Sequence, residues 1–173
     1  MGMLKKYYIW WLLLSGIVGF ALGVAIKTAW EESKFIIGEW EEDPIVVICP
    51  DSEVSNYRVS KAVEWWGIRG YDIKYVHRDK SGKICNNGRW SDGIIFIRAK
   101  GELLPGTYAV TSRLTILNKM VSAEIILPNE HKYTPRLLEH EMGHAFGMRH
   151  VESIGHIMHP ILEQGGEKFW IPD

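Results

Sequence analysis

Residues 7–26 form one unbroken apolar run of twenty residues without a charge. At about 1.5 Å of rise per residue, a helix of that length crosses a hydrocarbon core of about 30 Å. Tyr7, Tyr8, Trp10 and Trp11 crowd one end of it, as interfacial aromatics do, and Lys5 and Lys6 precede it. The basic side therefore points to the cytoplasm, leaving the rest of the chain outside. After residue 30 the pattern changes to a mixed, acidic stretch ending at Pro44, which reads as a juxtamembrane linker.

Beyond Pro44 the periodicity is that of a globular domain. Residues 45–49 (I-V-V-I-C) are continuously apolar and stop at Pro50, the mark of a strand buried on both faces. Val54, Val59, Ala62, Val63 and Trp66 then recur at helical spacing, with Asp51 or Ser52 as the cap and Gly67 and Gly70 as the stop. Residues 71–77 alternate like a half-buried strand, so strand, helix and strand suggest a parallel crossover unit. A polar loop with turn signals covers residues 79–92, and residues 93–98 form another buried strand. Residues 107–114 and 120–127 predict a hairpin turning around Asn118-Lys119. The second arm is the more apolar, which puts the first, with Thr111, Ser112 and Arg113, at the sheet edge. Thr134 as cap and Pro135 in the first turn start a last helix running to about Phe146.

This divides the chain into an anchor at residues 1–29, a linker at 30–44 and one domain at 45–173. The 173 residues leave room for one sizeable core. A formal net charge of −1 offers no basic surface for nucleic acid. Two readings of the apolar run stay open. An uncleaved signal-anchor is favoured by its length and bulky aromatics. A cleaved signal ending near Gly23 and Ala25 would make the protein secreted. Cys49 and Cys85 are likewise either a disulfide pinning the polar loop to the sheet or two free thiols.

The chemistry lies in residues 140–150, H-E-M-G-H-A-F-G-M-R-H. His140 and His144, four apart, share one helix face and can grip a metal ion from one side. Gly147 can take the positive φ that ends the helix, and the reversal brings His150 back as a third nitrogen ligand. Three protein ligands leave a zinc position open, which is the catalytic arrangement. Glu141, beside the first ligand, is placed as general base.

His140, Glu141, His144, Gly147 and His150 match the pattern H-E-x-x-H-x-x-G-x-x-H, and on these residues the chain resembles the metzincin zinc proteases. Met158, in His156-Ile157-Met158-His159-Pro160, stands where that family carries its methionine turn, and Met-x-Pro is similar to the matrixin branch. The resemblance implies an α+β, α/β-like fold: a twisted, mostly parallel five-stranded sheet with one antiparallel edge strand, above an active-site helix and Met-turn. It implies one catalytic Zn2+ on His140, His144 and His150, and a zinc-held water activated by Glu141. It also implies a polypeptide substrate laid along residues 107–114, with His159 and Pro160 lining the pocket for the residue after the cut. The chain departs from the family in having Val151 after the third histidine, no cysteine-based latency segment and a short tail after Pro160.

The expected function is thus a membrane-anchored zinc endopeptidase, a hydrolase working outside the cytoplasm. The alternatives are a catalytically weak zinc-stabilised domain tethered for binding or assembly, and a zinc hydrolase of non-peptide amides. His156 and His159 could approach the site or shape a pocket, or be turn and surface residues, and from the residues alone the second reading is favoured.

Overall fold

The computed structural model describes residues 35–86, 91–101 and 103–172. Its centre is a six-stranded sheet: β1 (Glu39–Trp40), β2 (Ile45–Ile48), β3 (Val76–Arg78), β4 (Ile94–Arg98), β5 (Val110–Ile116) and β6 (Lys119–Ile126). The order is β1-β6-β4-β2-β3, all parallel, and β5 runs antiparallel to β6. The chain is therefore a mixed α/β protein with a mostly parallel sheet. Among the described residues three α-helices accompany it, α1 (Asn56–Gly67), α2 (Lys83–Asn86) and α3 (Leu137–Ala145), with a 3-10 turn at Asn129–His131. Among the described residues no helix is long and apolar enough to cross a membrane, and the apolar run at residues 7–26 lies outside them.

Alternation along the central strands decides what covers each face. In β2, Val46 and Ile48 enter the main core with Ile95, Ile97, Ala123 and Ile125, beneath Val59, Ala62 and Trp66 of α1 and Leu138 and Met142 of α3. Val47 and Phe96 face the other way into a small cluster with Cys49 and Cys85. Both faces of β2 are thus buried, as its unbroken apolar run requires. The second cluster is closed by a Cys49–Cys85 disulfide with Cα atoms 5.8 Å apart, which resolves the open question about these cysteines. Asp79 prepares the turn that carries Cys85. Its carboxylate accepts from Ser81 Oγ at 2.8 Å, Ile84 N at 2.8 Å and Cys85 N at 3.0 Å.

Several local expectations shift. The cap of α1 is Ser55, which accepts from Arg58 N. Asp51 and Ser52 bind elsewhere: Asp51 accepts from Ala99 N and Lys100 N, and Ser52 from Val54 N. β3 starts at Val76 rather than at residue 71, because Tyr71 turns into an aromatic cluster with Trp66, Phe146 and Phe169. α3 starts at Leu137 without a side-chain cap. Arg136 precedes it at φ 65°, so Thr134 and Pro135 form the approach to the helix and not its first turn. The first arm of the hairpin, expected from residue 107, is strand only from Val110.

The sheet also has a sixth strand that the pattern did not announce. The division of the chain falls at Phe35, and the unit Phe35–Asp173 takes in ten residues assigned above to the linker. Ile37 N donates to Gly147 O at 2.9 Å, Arg149 N donates to Phe35 O at 2.8 Å, and Trp40 Nε1 donates to Ala145 O at 2.9 Å. Residues 35–40 thus lie against the end of α3 and the turn that follows it.

Candidate metal centre

α3 places His140, Glu141 and His144 on one stretch, held against the core by Leu138, Met142 and Ala145. Its other supports are polar. Arg58 of α1 grips the Glu139 carboxylate through two bonds of 2.6 Å, and Trp66 Nε1 donates to Glu139 O at 2.9 Å. Gly143 is needed because a Cβ there would stand 2.3 Å from Met158 Sδ. Met158, fully buried, is the floor on which the helix rests.

Gly147 ends the helix with φ +90°, and its Cβ would meet Gly38 O at 2.2 Å. Any L side chain would be strained in that conformation and would push residues 35–40 away. The turn carries the chain back to His150. His144 Nε2 then lies 3.1 Å from both His140 Nε2 and His150 Nε2. These three residues are a cluster able to hold a metal ion.

Three further features support that use. His140 Nδ1 is 2.8 Å from Ile157 O, and His144 Nδ1 is 2.8 Å from Met148 O. A carbonyl oxygen only accepts, so both Nδ1 atoms carry the proton and both Nε2 atoms present lone pairs to one point. Burial, which disfavours the charged form, pushes His140 down to about 4 and His144 to about 3, and lowers His150 too. All three rings are therefore neutral near pH 7. Lone pairs facing one another repel unless a cation lies between them. The 3.1 Å spacing is near the roughly 3.3 Å between two nitrogens sharing a tetrahedral zinc at about 2.0–2.1 Å. The donor set is compatible with zinc.

Glu141 stands beside this point, 4% exposed. Burial pushes its carboxyl up to about 7, opposed by a hydrogen bond from Thr111 Oγ1 to Oε2 of 2.6 Å. Thr111 belongs to β5, whose next same-face residue, Arg113, donates from Nη1 to His144 O at 3.0 Å and Met148 O at 3.2 Å. The edge strand is thus fastened to the helix at both the carboxylate and the last ligand turn.

Strand, helix and the segment after Met158 enclose an open cleft of roughly 880 Å3. Its walls include Thr111, Arg113, the three histidines, Glu141, His159 and Pro160. The residues singled out in the sequence are therefore brought to one place. No family model, no curated protein and no solved structure matches the chain.

Both His156 and His159 are buried rather than surface residues, and His159 lines the cleft. His156 is fully buried; its Nδ1 accepts from Met158 N at 3.0 Å and its Nε2 lies 3.0 Å from Trp170 O. It ties the tail to the turn that carries Met158. His159 is 3% exposed and accepts from Ile161 N at 3.1 Å. The sequence names Thr111 and Arg113 only as part of the edge strand, and gives Gly143 and Trp40 no place in the site. For Thr111 and Arg113 a signal existed: residues two apart on an edge strand share a face. Trp40 had none, since its partner Ala145 is 105 residues away.

Proposed function

We propose that this protein is a zinc-dependent endopeptidase of the metzincin class, similar to the matrixin branch. The observation that carries the reading is the meeting of three neutral imidazole Nε2 atoms with a buried carboxyl, Glu141, under the edge strand of a parallel sheet. His140, His144 and His150 hold the ion. When bound, zinc supplies Lewis acidity toward a carbonyl oxygen and toward water.

The chain's own residues do the rest. Among the described residues β5 pairs only with β6, so its outer edge offers main-chain donors and acceptors to an extended peptide. Glu141 Oε takes a proton from the attacking water and returns it to the leaving amine. A carboxyl held near neutrality suits both halves of that transfer. Thr111 fixes the carboxylate's direction and favours its charged form. The cleft wall at His159 and Pro160 receives the side chain that follows the cut bond.

The reading includes placement in a membrane by residues 7–26, with the catalytic domain outside the cytoplasm. The Cys49–Cys85 disulfide supports an oxidising compartment.

The test is metal content and peptide cleavage by the full chain, beside Glu141→Gln. The expected result is one zinc in both proteins and cleavage only in the first. If both bind zinc and neither cuts any member of a peptide library, the rival reading of a zinc-stabilised binding domain takes its place.

A further inference from the structure

The peptide group between Ile157 and Met158 is held at both ends by an imidazole. Its carbonyl oxygen, Ile157 O, accepts from His140 Nδ1 at 2.8 Å, and its amide, Met158 N, donates to His156 Nδ1 at 3.0 Å. An amide nitrogen only donates, so His156 Nδ1 carries a lone pair and the ring proton sits on Nε2. That Nε2 donates to Trp170 O at 3.0 Å, while the Trp170 amide stands farther off at 3.4 Å. One row of hydrogen bonds thus runs from Trp170 O through His156, the 157–158 peptide and His140 to the lone pair on His140 Nε2.

The row is buried along its length, from His156 and Met158 to Ile157 and His140. Rings of Phe35, Phe169 and Trp170 stand around the His156 imidazole, with centroids 6.0, 5.8 and 4.4 Å away. The backbone on either side is fixed as well: Ile157 N donates to Lys168 O at 2.8 Å, and Val151 N, next to His150, donates to Met158 O at 2.9 Å. Satisfying the Met158 N–H alone would need only an acceptor. An imidazole adds a donor on its far side and so joins the tail to the turn. Hydrogen bonds in series polarise one another, so an acceptor on the Met158 N–H makes Ile157 O a better partner for His140. The partner of a ligating imidazole's N–H orients the ring and raises the basicity of its other nitrogen.

We infer that His156 is a positioning residue for the metal centre, acting through the 157–158 peptide on His140 and setting the affinity of the three histidines for zinc. The inference rests on the reading of His140, His144 and His150 as metal ligands, and not on the peptidase reading. His156 is no ligand itself, since both of its nitrogens are engaged by main chain. The tail takes part because Trp170 O fixes the tautomer that leaves Nδ1 free to accept.

The experiment uses the full chain and three variants, with zinc affinity measured by chelator competition and stability by thermal melts. His156→Asn keeps an oxygen near the place of Nδ1 to accept from Met158 N, and drops the donor toward Trp170 O. His156→Gln keeps a donor near the place of Nε2 and drops that acceptor. His156→Phe keeps the ring and drops both. His156→Asn is expected to hold zinc within about threefold of the parent chain, and His156→Gln and His156→Phe about tenfold more weakly, the low end for a residue that supports a metal ligand. In spectra of the zinc-loaded chain with 15N-labelled histidine, the His140 Nδ1–H proton should move upfield in His156→Gln and His156→Phe and keep its place in His156→Asn. A histidine that only holds the fold would give zinc affinities that follow the melting temperatures and would leave this resonance unmoved. That result, or equal zinc affinity in all four proteins, overturns the inference. If His156→Phe does not fold, the contrast between His156→Gln and His156→Asn decides alone. A parent chain that takes up no zinc sinks the metal reading and the inference with it, and it shows this before any variant is made.

Discussion

Thr111 Oγ1 reaches the Glu141 carboxylate at 2.6 Å, and the Glu141 carbonyl oxygen at 3.0 Å, from a strand thirty residues earlier in the chain. A single hydroxyl on the edge strand thereby sets the direction of the proposed base. Thr111→Val keeps the shape and removes the donor. Under the peptidase reading, kcat should fall about tenfold with little change in KM, the kinetic worth of one hydrogen bond to a charged group. Thr111→Ser should retain most of the activity. Steady-state kinetics on one fluorogenic peptide decides it, and an unchanged kcat in Thr111→Val would remove Thr111 from the site.

Trp40 joins the start of the domain to the end of α3 through Ala145 O. Trp40→Phe should cost about 1–2 kcal/mol, since a part-buried carbonyl loses its partner. A fragment beginning at residue 44 loses this bond together with those at Gly147 and Arg149. It should melt several degrees below a fragment beginning at residue 35 and hold zinc more weakly, because the turn leading to His150 is no longer supported. Thermal melts and zinc titration of the two fragments test this.

Leu117 sits at the tip of the β5–β6 hairpin, 92% exposed, with φ 50°. Asn118 follows at φ 63°, so both residues of the two-residue loop are left-handed. That turn suits asparagine and glycine, not leucine. Leu117→Asn should therefore raise stability by about 0.5–1 kcal/mol, read as a higher denaturant midpoint at constant slope. A lower midpoint would mean that the leucine makes a contact its exposure does not suggest.

The Asp79 carboxyl is held down at about 2, chiefly by the Cys85 N–H, with Ser81 Oγ and the Ile84 N–H adding to it. Its ordinary value is 3.8. The folded chain thus holds the charged form more firmly than the unfolded chain does. The resulting stability is complete above the ordinary value and is lost as pH falls through about 2. Asp79→Asn should be less stable at neutral pH and should lose less of its stability between pH 4 and pH 2. Melting temperatures of the two proteins across that range check the sign.

Much of the site was legible in the order of residues because its spacing is local. Two histidines four apart need only a helix, and Gly147 at the required offset needs only a positive φ. The continuous apolar run of β2 announced burial on both faces, and the polar first arm of the hairpin announced the edge. Register-scale features were less accessible. Ser55 and not Asp51 caps α1, because Asp51 is drawn to the Ala99 and Lys100 N–H groups across the fold. Residues 35–40 looked like linker because two strand residues carry no period to recognise.

What the sequence by itself determined is the set of groups that can meet: three imidazoles, one carboxyl, a glycine to turn the chain and a methionine to lie beneath. What only the tertiary structure decided is their state. Carbonyls from Ile157 and Met148 choose the tautomers of His140 and His144. Burial brings Glu141 to near neutrality, and Thr111 and Arg113 arrive from the edge strand. Proton position and charge depend on what surrounds a group, and those surroundings come from strands and turns that are neighbours in space but not along the chain.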